Sequence, residues 1–300
     1  MISLWLRCTL AALTIALLAQ YRASHPAVGA AYAIGVFLAL HSAIVAASFA
    51  ISRRHAFEAP PQLVPDFHTA LLIVLREWLA YLALFVLIQP FDRLWMGKDA
   101  TGRPPSGRVP VLLIHGYMCN RGTWWWLHRK LMAAGFVIGT INLKPPLGGI
   151  DAFAAQLHAR VEALCAETGA KQLVLVGHSM GGLVARAYLR QNGAARVAKL
   201  VTLASPHHGT WLARYGLGRN AREMRPGSGW IRALEASDPG VPMLSIWTPT
   251  DNFVAPQDSS RLAGAREQIV PALSHLAMLF SPLVLEILIG ELAHPDLAHK

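Results

Sequence analysis

Residues 173–188 read LVLVGHSMGGLVARAY, and this stretch decides the fold class of the chain. Its first four residues are apolar, as in a buried strand, and the last six predict a helix. Between them lies a Gly-x-Ser-x-Gly turn, in which the glycines let the strand and the helix approach closely. A strand, this turn and a helix form a nucleophile elbow, whose strained backbone holds a hydroxyl group above the sheet edge. The pattern therefore predicts Ser179 as a nucleophile.

A serine nucleophile on such an elbow needs an acid and a histidine, which follow it in the order Ser, Asp, His. The run VPMLSIW at residues 241–247 predicts a buried strand, and Asp251 lies in the loop at its end. The next candidate strand, residues 267–270, is followed by a loop that contains His275. We therefore predict His275 as the base that takes the proton from Ser179, with Asp251 fixing the tautomer of the imidazole.

An oxyanion hole needs two backbone N–H groups aimed at the developing negative charge. The run VPVLLI at residues 109–114 predicts another strand, which ends in His115 and Gly116. Because Gly116 lets the backbone turn sharply, the N–H of Tyr117 can point into the site beside that of Met180. His115 is predicted to hold this loop by a side-chain hydrogen bond.

These motifs resemble those of the α/β-hydrolases, and within them the small bacterial lipases and esterases. The resemblance covers residues 108–300, and its most telling part is SPHHGT at residues 205–210. Lipases of this group carry a similar Pro-His-x-Gly-Thr stretch, which shapes the active-site wall. One departure is Ala-Leu-Ser at residues 272–274, where a glycine often precedes the histidine. The resemblance implies cleavage of carboxylic esters through an acyl-enzyme on Ser179.

Three side chains are predicted to contact substrate: Met118, Trp124 and His208. Trp124 opens a run of three tryptophans, for which helix packing, an acyl-binding wall and an interfacial anchor stay open. His208 follows His207, but no carboxylate or cysteine near them has ligand-like spacing, so a wall or hydrogen-bonding role is favoured. The three cysteines form no Cys-x-x-Cys pair, which argues against zinc and a disulfide framework. We expect no metal and no cofactor.

From residue 109 onward, predicted strands and helices alternate along the chain, among them a strand at residues 136–143 and a helix at residues 150–168. This alternation predicts an α/β fold with a mostly parallel sheet and helices on both faces. The domain is large enough for one core, with little room for a separate cap. Its longest irregular stretch, residues 211–229, is the place where a short lid could form.

The first hundred residues differ from the rest because they hold the excess of apolar side chains. The whole chain is 54% hydrophobic and 15% charged, with a mean hydropathy of +0.37, which is unusual for a soluble enzyme of this length. The run at residues 30–51 is long enough to cross a bilayer. The run at residues 8–19, behind Arg7, predicts an uncleaved anchor rather than a signal peptide, because no small-residue cleavage site follows it.

A third apolar run, residues 70–88, contains Arg76 and Glu77 near its middle. Two charges in a spanning helix cost several kcal/mol unless they pair or face other helices. Spanning within a small bundle, lying along the interface and packing on the hydrolase domain all stay open. We predict two or three transmembrane anchoring helices in residues 1–96, a linker in 97–108 and a catalytic domain in 109–300.

The basic residues beside these runs bear on orientation. Arg53 and Arg54 follow the second run and indicate that the loop there is cytoplasmic. If the third run then spans the membrane, the domain that follows it lies in the periplasm. Four cations follow the third run and favour a cytoplasmic position for that part of the chain: Arg93, Lys98, Arg103 and Arg108. If the third run does not span, the enzyme is cytoplasmic. We expect an inner-membrane protein with its catalytic domain in the periplasm.

Two classes of function fit these features. The leading one is a membrane-anchored serine hydrolase acting on a lipid or small ester, and the same triad also serves thioesterases, amidases and acyltransferases. The other is a non-catalytic membrane protein that uses the hydrolase fold as a binding module. The net charge of +10 comes with no recognition motif for nucleic acid, so the expected partners are the substrate and the bilayer.

Overall fold

Six parallel strands form one sheet in the computed structural model, which describes residues 26–102 and 108–294. They are β1 (Val111–Ile114), β2 (Ile138–Thr140), β3 (Leu173–His178), β4 (Val197–Leu203), β5 (Met243–Trp247) and β6 (Arg266–Ile269). The strand order is β2-β1-β3-β4-β5-β6, and each of these pairings is parallel. The predicted parallel sheet is confirmed.

Helices cover both faces of this sheet, as the alternation of elements predicts. The α-helices are α1 (Pro26–Arg54), α2 (Phe67–Leu82), α3 (Asp92–Met96), α4 (Trp125–Ala133), α5 (Ile150–Thr168), α6 (Met180–Asn192), α7 (Gly218–Glu223), α8 (Gly229–Glu235) and α9 (Pro282–Leu292). One apolar cluster lies between the sheet and α4 and α9. A second cluster lies on the opposite face, under α5, α6 and α8.

Shorter turns connect these elements. A π-helical turn, Ala83–Ile88, continues α2 toward α3. The 3-10 turns are Pro61–Leu63, Gln89–Phe91, Arg121–Trp124, Trp211–Arg214, Gln257–Ser260 and Ala277–Phe280. The 3-10 turn Trp211–Arg214 and helix α7 both lie within residues 211–229, the stretch predicted to be irregular.

Two strand boundaries differ from the sequence prediction for identifiable reasons. β1 begins after Pro110, which has no N–H to donate to the ladder. The predicted strand at residues 136–143 is paired only over β2, because the N–H of Leu143 donates to the His115 ring instead of to a neighbouring strand. Helix α5 has its predicted bounds and ends at Gly169, whose φ of 69° is the left-handed conformation usual after a helix.

One face of the third apolar run, residues 70–88, packs against the domain that contains the six-stranded sheet. Helix α2 begins after Asp66, whose carboxylate accepts the N–H of Thr69 and so caps the helix. Ala80, Leu84 and Ile88 enter the apolar cluster that contains Trp124. The opposite face of this run is apolar and exposed: Leu71, Leu72, Val74, Leu75, Leu79 and Leu87.

Two helical stretches in the described residues are long and apolar enough to cross a membrane, judged by length and composition: Ile34–Arg54 and Phe67–Met96. Less than a third of each apolar window is buried. The first apolar run, residues 8–19, lies outside the described residues. Part of the predicted linker is fixed, because the Asp99 carboxylate accepts the N–H of Thr140 and pairs with Arg160. The domain boundaries at 96 and 108 stay a prediction.

Candidate active site

Ser179 stands at the turn between β3 and α6 in a conformation that non-glycine residues rarely adopt. Its φ is 56° and its ψ is −125°, as expected for a strained elbow. The flanking glycines are required by space. A Cβ on Gly177 would lie 2.5 Å from the backbone N of Gly182, and one on Gly181 would overlap the backbone O of Ile114. The predicted strand, turn and helix around Ser179 are confirmed.

The side chains of His275 and Asp251 form a buried pair. His275 Nδ1 lies 2.9 Å and 3.1 Å from the two carboxylate oxygens. Asp251 Oδ1 also accepts the backbone N–H groups of Phe253 and Val254, each at 2.7 Å. Because Nδ1 donates to the carboxylate, Nε2 of His275 is the ring nitrogen that can accept a proton. Ser179 and His275 line the same cavity.

The surroundings of His275 favour its charged form. Burial by itself disfavours the imidazolium, but the charge and hydrogen bond of Asp251 outweigh this effect, and the pKa of His275 is raised above 6.5. The ring of His178 lies 4.6 Å from that of His275. Burial and the nearby His275 charge hold the pKa of His178 well below 6.5. One charged imidazole is therefore favoured in this pair of rings.

The loop after β1 passes over the nucleophile. A Cβ on Gly116 would lie 2.9 Å from the Cβ of Ser179, so only glycine fits there. His115 Nδ1 donates to the carbonyl of Gly116 at 2.9 Å, and Nε2 accepts the N–H of Leu143 at 3.0 Å. Burial lowers the pKa of His115 to about 4, which keeps the ring neutral for both bonds. The predicted structural role of His115 is confirmed.

The two predicted oxyanion donors flank this close approach. Tyr117 directly follows Gly116, and Met180 is the first residue of α6. The N–H at the first position of a helix has no intrahelical partner, so it is available to a ligand. The position of both residues next to Ser179 is what an oxyanion hole requires. The assignment of Tyr117 and Met180 stays a prediction.

A cavity of about 590 Å³ opens beside Ser179 and His275. Tyr117 and Met118 contribute to its wall. The stretch at residues 211–229 also contributes, and the hydroxyl of Tyr117 holds it by accepting the N–H of Leu217 at 2.8 Å. Six further wall residues come from α1, α2 and the turn after it: Ile44, Ala47, Ser48, Ile51, Tyr81 and Phe85. The N-terminal helices thus form part of the site, which the sequence analysis did not predict.

The structure does not bring two of the predicted substrate contacts, Trp124 and His208, into the wall of this cavity. Trp124 is fully buried in the apolar core, where its indole meets the ring of His178 edge-on. Of the alternatives for this tryptophan, helix packing is the correct one. His208 Nδ1 bonds the carboxylate of Glu235 at 2.6 Å. Pro206 and Thr210 of the same segment line the cavity instead.

Helix α1 also binds the loop that carries the acid. The hydroxyl of Ser52 donates to the carbonyl of Asp251 at 2.7 Å, and the side chain of Asn252 donates to the hydroxyl of Ser48 at 2.8 Å. Asn252 Oδ1 accepts the backbone N–H of His275. These contacts join α1 to both members of the acid–base pair. Sequence patterns could not reveal them, because the partners are about two hundred residues apart.

Metal binding has no candidate among residues 26–102 and 108–294, since no group of three or more His, Cys, Asp or Glu side chains there could hold an ion. Cys119 and Cys165 are buried and free. Burial raises the pKa of the Cys119 thiol to about 11. A reactive thiolate is therefore disfavoured at Cys119.

Comparisons with known proteins show what the chain is similar to. The family described as PGAP1-like alpha/beta domain matches residues 156–225. Triacylglycerol lipases of Pseudarthrobacter phenanthrenivorans and Burkholderia plantarii are each 32% identical over 116 residues. Each match covers 36% of this chain, and 36% and 32% of the relative respectively. The match thus spans about a third of the length of these curated relatives.

Solved structures are similar over a larger share of the chain. A mature lipase of Bacillus licheniformis has a TM-score of 0.59 at 16% identity, with 65% of this chain and 96% of that chain covered. Lipase B of Aspergillus fumigatus has a TM-score of 0.59 at 19% identity, with 70% and 58% covered. At such identities the likeness shows the fold alone. The chain is an α/β-hydrolase-fold protein that resembles lipases and esterases.

Proposed function

We propose that the chain is a serine hydrolase that cleaves carboxylic esters, with Ser179 as nucleophile, His275 as base and Asp251 as acid. One observation carries the proposal: a strained serine and a buried, carboxylate-bound histidine line one cavity. The likeness to triacylglycerol lipases supports an ester as the substrate.

The reaction has two halves. Ser179 Oγ attacks the ester carbonyl carbon while His275 Nε2 takes the hydroxyl proton, and the N–H groups of Tyr117 and Met180 stabilise the oxyanion. The tetrahedral intermediate then collapses, His275 returns the proton to the leaving alcohol, and an acyl-enzyme remains on Ser179. Water attacks the acyl group in the same way, which releases the acid and restores the serine hydroxyl.

The walls of the cavity support an acyl chain as the part of the substrate that is bound. Side chains from α1, α2 and the turn after it are mostly apolar: Ile44, Ala47, Ile51, Tyr81 and Phe85. Burial of an acyl chain stabilises binding by about 0.8 kcal/mol for each methylene. The same N-terminal region has an apolar outer face, so we propose that it anchors the enzyme in a bilayer and presents the cavity to lipid.

Labelling with a fluorophosphonate tests the nucleophile. We expect the purified full chain in detergent to be labelled at Ser179 and to hydrolyse p-nitrophenyl esters, with Ser179→Ala losing both properties while keeping its far-UV circular dichroism. Loss of the nucleophile in such a triad lowers the rate on the order of a millionfold. An unlabelled wild-type protein, or a Ser179→Ala variant with wild-type esterase activity, would refute the assignment.

Membrane attachment and orientation need separate tests. We propose that the protein stays in the membrane pellet after a carbonate wash, because apolar burial and not surface charge holds it there. Arg53 and Arg54 lie between Ser52 and His55, which contact the carbonyl of Asp251 and the ring of Trp211. These two cations therefore lie beside the catalytic domain, and the positive-inside rule favours the cytoplasm for it over the expected periplasm. Protease treatment of spheroplasts decides, because only a periplasmic domain is digested.

A further inference from the structure

The carboxylate of Glu77, on helix α2, lies against the loop that carries His275. Glu77 is fully buried, whereas its neighbour Arg76 is exposed. Its oxygens accept the backbone N–H of Leu276 at 2.9 Å and of Ala277 at 3.0 Å. These are the two residues that directly follow His275 in the chain. The carboxylate therefore holds the loop at the point where it leaves the candidate base.

Packing alone does not explain an acidic residue at this position. The other buried residues of α2 are Ile73 and Ala80, and an apolar side chain at 77 would avoid the cost of taking a carboxylate out of water. What Glu77 adds is hydrogen bonding to two buried N–H groups that would otherwise lack a partner. The burial of this carboxylate thus serves the His275 loop rather than the core.

The charged and titratable groups around His275 come from three elements. Asp251 lies on the loop after β5, His178 at the end of β3, and Glu77 on α2. Asp251 and Glu77 are negative when ionised and raise the pKa of His275, whereas burial lowers it. Where Glu77 is ionised, its charge therefore also bears on the protonation of the base, in addition to the hydrogen bonds that place it.

We propose that Glu77 is a positioning residue for catalysis, which fixes His275 against Asp251 and toward Ser179 through the amides of Leu276 and Ala277. The N-terminal apolar region then contributes a residue that positions the catalytic base, in addition to anchoring the enzyme. The inference rests on the proposed function, because His275 must be the base for its placement to matter.

Two substitutions in the full-length protein separate placement from charge. Glu77→Ala removes both acceptors, and a small misplacement of a catalytic group costs on the order of a hundredfold in rate. We expect kcat to fall by about ten- to a hundredfold with KM nearly unchanged. Glu77→Gln keeps one acceptor oxygen without the charge, so it should lose less activity and move the acidic limb of the pH–rate profile to lower pH. Arg76→Ala, on the exposed side of α2, is the matched control and should behave as wild type.

The measurements are kcat, KM, the pH–rate profile and the rate of fluorophosphonate labelling. Wild-type kcat and an unmoved acidic limb in both Glu77 variants, or a change confined to KM, would overturn the positioning role. If Glu77→Ala does not fold, Glu77→Gln decides by its pH profile. A wild-type protein that is not labelled at Ser179 refutes the proposed function itself. A labelled wild-type protein with unaffected Glu77 variants refutes only the role of Glu77.

Discussion

The Asp251 carboxylate has two sets of partners at the residue scale. It accepts the ring Nδ1–H of His275 on one side, and the backbone N–H groups of Phe253 and Val254 on the other. The two backbone bonds hold the carboxylate still, so its bond to the imidazole has a fixed direction. This arrangement selects one tautomer of His275 and leaves Nε2 to act on Ser179.

Replacing Asp251 by asparagine should be far more damaging than the same change at Asp258. The introduced side chain would offer an amide where a carboxylate stabilises the imidazolium, and the equivalent change in a serine protease triad lowers kcat by about 10⁴-fold. Asp258 belongs to the 3-10 turn Gln257–Ser260, so Asp258→Asn is the matched control. Steady-state ester hydrolysis measures both, and equal losses would contradict the choice of acid.

Activity should fall as the pH is lowered through the pKa of His275. The base must be neutral to accept the proton of Ser179, and the Asp251 charge raises the pKa of His275 above 6.5 in the folded enzyme. The neutral fraction, and with it kcat/KM, therefore rises with pH through a midpoint above 6.5. A profile of kcat/KM between about pH 5 and 9 measures the midpoint. A flat profile over this range would speak against His275 as the base.

At the element scale, local patterns were enough for the elbow and for α5, whose predicted and observed bounds agree. They failed for several contacts that join distant parts of the chain. The strand around β2 is shortened by the His115 ring, and Trp124 turns inward to the core. Glu77 and Leu276 are 199 residues apart, so the role of α2 in the site has no local signature. Hydrophobic periodicity indicates which face of a helix or strand is apolar, but it does not indicate which part of the chain packs against that face.

The close contact between β3, β1 and α6 predicts a specific sensitivity at Gly181. A methyl group there would overlap the backbone oxygen of Ile114, which cannot move without breaking the sheet, so Gly181→Ala should destabilise the fold by about 2 kcal/mol or more. Gly290 in α9 has open space around its Cβ position. Gly290→Ala should therefore stabilise by about 0.5–1 kcal/mol, as usual within a helix. Thermal unfolding compares the two, and similar effects would contradict the packing argument.

For the whole molecule, the main consequence is that the N-terminal helices and the sheet domain share one site. Ser179 and His275 line the same cavity as residues of α1, and the loop of Asp251 is bonded to α1. A chain without these helices would keep the triad residues but lose a wall of the cavity and the supports of the acid and base loops. Acyl-chain preference should therefore be set by α1 and α2.

A chain-length series of p-nitrophenyl esters tests this shared site. Each methylene buried against the apolar wall contributes about 0.8 kcal/mol, so wild-type activity should rise from butyrate to about octanoate. Ala47 lines the cavity, whereas its neighbour Ala46 is exposed on α1 and does not. Ala47→Trp should fill the far part of the groove and shift the preference to shorter esters, while Ala46→Trp should leave the series unchanged. The two variants add the same side chain to adjacent positions, so any general effect of a tryptophan on α1 affects both. Equal shifts in the two, or a wild-type series that falls from acetate onward, would show that α1 does not bind the acyl chain.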